Sequence, residues 1–174
     1  MIPWIPLALG LMAAIGPLQT LKSSFQGHKG CEVQFTQEIK DSFFPEESQQ
    51  ASGSIKFERP EAMEWIYKTP KPKIIRYRNK KLSIEENGEV ENIRDFQQMS
   101  IHESFSFLWG ETKPKTFKIE ISGPKSFRIL PKSGLKAAFE KIEVKVENGF
   151  VSEARVTNKL EGESVLKFSN WKLR

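Results

Sequence analysis

From Ile55 onward the chain keeps returning to a beat of two. Ile55 and Phe57 alternate with Lys56 and Glu58; Met63, Trp65 and Tyr67 with Glu64, Ile66 and Lys68; Ile75 and Tyr77 with Arg76 and Arg78. The same beat recurs in Leu82-Ser83-Ile84, in Phe117 to Ile121, in Ile142 to Val146 and around Leu166 and Phe168. Successive side chains of a strand point to opposite faces, so each run puts its apolar residues on one face and its charges on the other. Antiparallel sheets tolerate that division, with one face on a core and one in water. Asn87-Gly88 and Asn148-Gly149 are two-residue hairpin signals, and Ser122-Gly123-Pro124 and Glu161-Gly162 are further turn candidates. The sequence therefore predicts a meandering antiparallel sheet.

Two segments depart from that beat. Leu18, Leu21 and Phe25 recur at helical spacing after Pro17, predicting a short amphipathic helix from Pro17 to about Val33, broken by Gly27 and Gly30. Between Arg94 and Gly110, Phe96, Met99, Ile101, Phe105, Leu108 and Trp109 fit a helical stripe, and Asp95-x-x-Gln98 and Ser100-x-x-Glu103 resemble capping boxes. One or two short helices are expected there, inserted between strands. The 174 residues contain no internal repeat and no linker long enough to divide them, which makes a single domain the expectation. The expected fold class is mainly β with short helices: one curved antiparallel sheet, with helices over its concave apolar face.

Composition excludes several functions. The single Cys31 rules out an internal disulfide, and with only His28 and His102 beside it no convincing zinc site can be assembled. No phosphate loop, nucleophile elbow or triad-like context occurs, so neither an enzyme nor a bound cofactor is expected. Thirteen Phe and four Trp against two Tyr give aromatic surface largely without hydroxyls, suited to an apolar interior or an apolar ligand. The first 21 residues carry no charge, and Leu7 to Ile15 is an apolar run of signal-peptide length, too short to span a bilayer. Residues 1–16 are read as a signal peptide and 17–174 as the domain. No lipobox precedes Cys31.

Lys68 to Lys81 holds seven Lys or Arg and no acid. Its net charge suits either the solvated face of two strands or docking to an acidic protein or anionic headgroups through Lys68, Lys71, Lys73, Arg76 and Arg78; no nucleic-acid motif accompanies it. Arg59, just before Pro60, continues the odd-numbered apolar series. At that position its guanidinium either snorkels to water at the sheet rim or latches across a cavity mouth onto carbonyls at a helix end.

"FTQ" at Phe35 to Gln37, "GSIKFERPEAMEWIYKTP" from Gly53 to Pro70 and "FRILPKS" from Phe127 to Ser133 resemble the LolA family of periplasmic lipoprotein carriers, over roughly Cys31 to Trp171. The resemblance implies a half-open β-barrel closed by lid helices, with Arg59 as the lid latch. It also implies an acyl-chain cavity, for which the candidate residues are Phe35, Ile55, Phe57, Met63, Trp65, Tyr67, Ile75, Tyr77, Ile84, Phe105, Leu108, Trp109, Phe127 and Ile129. The implied partners are acylated lipoproteins, an inner-membrane ABC exporter and an outer-membrane acceptor, served by a periplasmic monomer. Two alternatives stay on the same fold: a carrier of another lipid or glycolipid, and a tethered receptor of the LolB type.

Overall fold

A computed structural model describes residues 16–41, 43–44, 48–94, 117–133, 139–158 and 162–174. One helix, α1 (Pro17–Phe25), precedes eleven strands: β1 (Gly30–Lys40), β2 (Ser48–Glu58), β3 (Ala62–Thr69), β4 (Lys73–Arg78), β5 (Lys81–Glu86), β6 (Glu89–Ile93), β7 (Phe117–Gly123), β8 (Ser126–Pro131), β9 (Lys141–Glu147), β10 (Phe150–Asn158) and β11 (Gly162–Leu173). They form one antiparallel sheet in the order β6-β5-β4-β3-β2-β1-β11-β10-β9-β8-β7. Every neighbour in that order is also a neighbour in sequence except one pair, β1 and β11, which joins two meanders at the centre. Among the described residues the sheet does not close, and β6 and β7 are its edge strands.

The hairpins follow from the turn residues. Asn87 (φ 53°) with Gly88 (φ 79°), and Asn148 (φ 52°) with Gly149 (φ 82°), hold the left-handed pair of angles whose twist matches that of the flanking strands. Asn79 and Lys80 (φ 53° and 59°) make a third such turn without a glycine. The predicted helix is shorter than expected: it ends at Phe25, Gly27 turns the chain at φ 81°, and Cys31 and Val33 already belong to β1. Leu18, Leu21 and Phe25 supply the helical stripe, but Cys31, Val33 and Phe35 continue with a period of two, and that period decides their state. The turn expected at Ser122-Gly123-Pro124 falls one residue later, at Pro124 and Lys125, with Gly123 paired to Ser126. The helices expected between Arg94 and Gly110, and Glu161 of the last turn candidate, lie outside the described residues.

Two packing features set the curvature and facing. Tyr77 on β4 and Phe127 on β8 belong to one buried cluster with Leu21 and Phe25 of α1. A flat sheet would separate β4 and β8 by seven strand spacings, about 33 Å, so the sheet must curl around the helix. On β11 the inner face changes parity, because the register slips between Glu32 and Gln34 of β1, opposite Asn170 at φ 55°. This β-bulge lets the odd-numbered Trp171 and Leu173 rejoin the face occupied by the even-numbered Leu166 and Phe168. Trp171 then stacks on Phe150 at 5.5 Å, meets Phe25 edge-on at 5.7 Å and donates its indole N–H to the Val151 carbonyl at 3.0 Å.

Gly53 is the tightest point of the sheet. A Cβ built there would overlap the Ile66 backbone carbonyl and crowd the ring of Phe35, which lies across from it. Gly53→Ala is therefore expected to lower stability by about 1–3 kcal/mol, the usual range for overpacking, with an unchanged denaturant slope. Urea unfolding monitored by Trp fluorescence checks this.

Candidate functional site

The inner face of β1 to β5 is built as rows of directly paired residues. The first row runs Cys31, Phe57, Met63, Tyr77 and Leu82, and the second Val33, Ile55, Trp65, Ile75 and Ile84. The third, Phe35, Gly53, Tyr67, Lys73 and Glu86, begins with aromatics and ends in charge. Across the central pair, Phe35 faces Phe168 and Gln37 faces Leu166. Because each pairing is antiparallel and in register, the period-two pattern of single strands becomes a continuous apolar surface.

That surface has two parts. The first row lies in the cluster that α1 enters, together with Val146, Val151 and Phe127. The second cluster, Val33, Phe35, Ile55 and Leu166 with Trp65, Tyr67, Val156 and Phe168 packed against it, consists of strand residues alone. Here Phe35 sits edge-on to both Trp65 and Tyr67, each at 5.4 Å, over the bare backbone of Gly53. The Trp65 indole N–H is buried without a hydrogen-bond partner among the described residues.

Of the cavity candidates, Phe35, Ile55, Phe57, Met63, Trp65 and Tyr67 come together in this second cluster. Ile75 and Ile84 extend the Trp65 row toward the sheet edge. Tyr77 and Phe127, each 1 % exposed, and the partly buried Ile129 sit in the core around α1. Phe105, Leu108 and Trp109 lie outside the described residues. Arg59 donates from Nε to the His28 carbonyl at 2.9 Å, in the turn that follows α1, while its backbone N–H bonds the Lys29 carbonyl at 2.8 Å. The guanidinium thus bonds a backbone carbonyl three residues past the end of α1; the segment beyond Arg94 for which a latch was expected lies outside the described residues.

The basic segment has counter-charges that its own sequence lacks. Arg76 lies between Glu64 on β3, at 2.9 Å, and Glu85 on β5; Arg78 pairs with Glu58 at 2.8 Å. Lys68 and Lys71 are exposed and Lys73 is half-buried. Neighbouring strands supply the acids, which is why a reading of residues 68–81 alone misses them.

Sequence reasoning also missed a polar chain that crosses the apolar face. The Tyr67 hydroxyl donates to Gln37 Oε1 at 3.1 Å, and Gln37 Nε2 donates to Ser164 Oγ at 2.7 Å. The motif Phe35-Thr36-Gln37 carried the signal, since Gln37 stands where the alternation calls for an apolar residue. Beside it a cleft of about 250 Å³ is lined by Gln37, Gln49, Tyr67, Lys71, Lys73 and Glu86. Among the described residues no group of three or more His, Cys, Asp or Glu could hold a metal, and no helix is long and apolar enough to cross a membrane.

A family model described as outer membrane lipoprotein carrier protein LolA matches residues 26–174. Among solved structures, a LolA superfamily protein from Nitrosomonas europaea is 9% identical, with 90% of this chain and 91% of that one covered at a TM-score of 0.49. An outer membrane lipoprotein-sorting protein domain from Vibrio parahaemolyticus is 11% identical, covering 93% of both chains at 0.49. Lipoprotein LppX of Mycobacterium tuberculosis is 13% identical, with 93% and 95% covered at 0.45. No curated protein matches the sequence.

Burial pushes the Cys31 thiol up to about 12, with the Arg174 guanidinium pulling weakly the other way, and burial also raises the Tyr67 phenol. Folding therefore holds the thiol proton more tightly than the unfolded chain does. That contribution is complete below the unfolded value of 9.0 and is lost as pH rises from there toward 12. Unfolding free energy should fall across this window, and Cys31→Val should flatten the first part of the fall, measured by urea titrations between pH 8 and 10.5. The native thiol should resist a disulfide reagent at pH 8 and react at once in denaturant.

Proposed function

Since the chain belongs to the LolA family, we propose that it is a periplasmic carrier that lays the acyl chains of lipoproteins along the inner face of its sheet. The single observation that carries the reading is the second cluster. Phe35, Ile55, Trp65 and Leu166 form an apolar wall, aromatic at its centre, with no partner element among the described residues other than strands. The work is binding and release, without catalysis. Residues 1–16 direct export, 17–174 make the carrier, and it acts as a monomer between an inner-membrane ABC exporter and an outer-membrane acceptor.

Energetics support a carrier for such cargo. Each methylene moved out of water is worth about 0.8 kcal/mol, so one long acyl chain represents on the order of 10 kcal/mol. Unaided transfer through water is negligible at that cost. Aromatic walls grip such chains without demanding one geometry. In this reading Ile75 and Ile84 extend the wall, and the exposed Lys68 and Lys71, with Lys73, steer the carrier toward acidic partners. Arg76 and Arg78, already paired, add less to that steering.

An apolar fluorescent probe bound to the protein should be displaced by a dipalmitoylated lipopeptide at micromolar concentration, with a blue shift of Trp emission. Absence of both responses overturns the carrier reading. Arg59 tests release separately. In Arg59→Leu the charge-assisted bond to the His28 carbonyl is gone, and a bond of about 1.5–3 kcal/mol shifts an open–closed balance tenfold or more. The variant should load lipopeptide as the wild type does but deliver it to acceptor vesicles several-fold more slowly. Delivery at the wild-type rate would leave Arg59 as a rim residue.

A further inference from the structure

The inner face is graded along the strands. Its first two rows across β1 to β5 are apolar apart from the buried Tyr77 hydroxyl and the Trp65 indole N–H; the third ends in Lys73 and Glu86, and the next position on β1 is Gln37. Where the grading turns polar, Tyr67, Gln37 and Ser164 form the hydrogen-bonded chain across β3, β1 and β11, and the cleft of about 250 Å³ opens beside it. A dry core has no use for three linked polar groups next to Phe35 and Leu166, because each must be satisfied to avoid a desolvation cost. A wall that meets an amphipathic ligand does.

The hydrogen-bond inventory shows what a ligand end could meet there. The Tyr67 hydroxyl donates a hydrogen bond to the Gln37 amide oxygen, and the amide nitrogen faces Ser164. One amide N–H of Gln37 is then spent on Ser164 Oγ. The second amide N–H and the Ser164 hydroxyl proton have no partner among the described residues. The cleft beside them is lined by the Lys71 and Lys73 ammonium donors together with the Glu86 carboxylate and the Gln49 and Gln50 amides. The two unspent protons on the polar chain can serve a carbonyl oxygen, an acceptor without protons of its own, while the lone pairs left on Tyr67 Oη, Gln37 Oε1 and Ser164 Oγ would serve a donor.

From this we infer that Gln37 and Ser164 form a subsite for the ester or amide carbonyls that link acyl chains to their headgroup. This deepens the proposed carrier function and rests on it. Chains would run from the cleft along Phe35, Trp65 and Ile55 toward α1, with the linkage carbonyls on the polar chain and the headgroup at the end of the sheet that bears the β1–β2 and β3–β4 loops. The subsite fixes the polarity of the cargo in the groove, which an apolar wall alone leaves open.

The test compares lipids that differ only in those carbonyls. Dioctanoyl phosphatidylglycerol and its dioctyl ether analogue, both below their aggregation concentrations, are titrated against an apolar fluorescent probe bound to the full chain. The diester should displace the probe at about three- to tenfold lower concentration than the diether, as one or two hydrogen bonds imply. Gln37→Leu should erase that ratio by weakening the diester while leaving the diether unchanged. Tyr67→Phe, which frees the Gln37 amide to rotate, should reduce the ratio and tests the idea should the leucine variant fold poorly. A dioctanoylated cysteinyl lipopeptide of matched chain length, run in parallel, identifies the source of the carbonyls: tighter binding than dioctanoyl phosphatidylglycerol assigns the subsite to acylated protein, and the reverse to free lipid. Equal displacement by diester and diether, or a ratio that survives Gln37→Leu, overturns the subsite while leaving the groove intact. Displacement by neither lipid removes the groove and the subsite together.

Discussion

The pairing of β1 with β11 is the contact on which the rest of the structure depends. Every other strand pair is a hairpin or a neighbour in sequence, so each half of the chain can assemble by local steps, but those steps alone make two separate meanders. Only the pairing of Cys31–Lys40 with Glu163–Leu173 turns them into one surface. Gln37 and Ser164, which meet across it, are 127 residues apart. Closing a flexible loop of that length costs about 4 kcal/mol, and prior formation of the two meanders shortens the loop that remains. The seam is reinforced at its end, where Arg174 accepts from Lys29 N–H at 2.7 Å, donates to the Gly30 carbonyl at 2.9 Å and places its guanidinium 2.7 Å from Glu32.

The same seam explains what could and could not be read from the sequence. The inner-face series Ile55, Phe57, Met63, Trp65, Tyr67, Ile75 and Ile84 is legible because period two is a local property, and in-register hairpins preserve it across strands. Asn87-Gly88 and Asn148-Gly149 are legible for the same reason. Pairing between the first and last strands leaves no local mark, so the neighbours of Phe35 and Gln37 on β11 stay hidden. The bulge opposite Asn170 hides Trp171 further, since strict alternation from Leu166 and Phe168 would send it to the outer face. The acids that answer Arg76 and Arg78 belong to strands 12 and 20 residues earlier, and to Glu85, beyond the far end of the basic run. Arg59 was half legible: its need for carbonyl acceptors follows from its place in an apolar series, while the identity of the acceptor, His28, depends on where α1 stops.

The two faces of the sheet are separated by charge as well as by apolarity. Outward-facing Lys56, Glu64, Arg76 and Glu85 form a cross-strand network of ion pairs at partly exposed positions. Such pairs contribute little to stability individually, roughly 0–1 kcal/mol each, so their main effect is to settle register: a slip by one residue would bring these charges onto the Trp65 wall. The outer face thereby specifies the inner one. Gly53 does so from within, since the ring of Phe35 can lie against Trp65 and Tyr67 only where no Cβ intervenes.

A carrier faces a requirement that a storage protein does not, because affinity that is gained on loading must be given up on delivery. An apolar groove sized for chain length alone binds more tightly with every methylene, at about 0.8 kcal/mol each, and offers no means of choosing which end of the cargo leads. Hydrogen bonds to a linkage carbonyl are worth a small fraction of that total but depend strongly on direction. On the proposed reading, Gln37 and Ser164 therefore add little to the grip and much to the orientation. The bond from Arg59 to the His28 carbonyl lies beyond the opposite end of the same strands, at the turn after α1, and, though charge-assisted, is also small beside that total. Two weak, directional contacts at the two ends of a strong, undirected wall can bias how cargo sits and when the groove opens without trapping it. That division of labour follows from the order of residues along β1 and β2: charged or polar at the rims, apolar between.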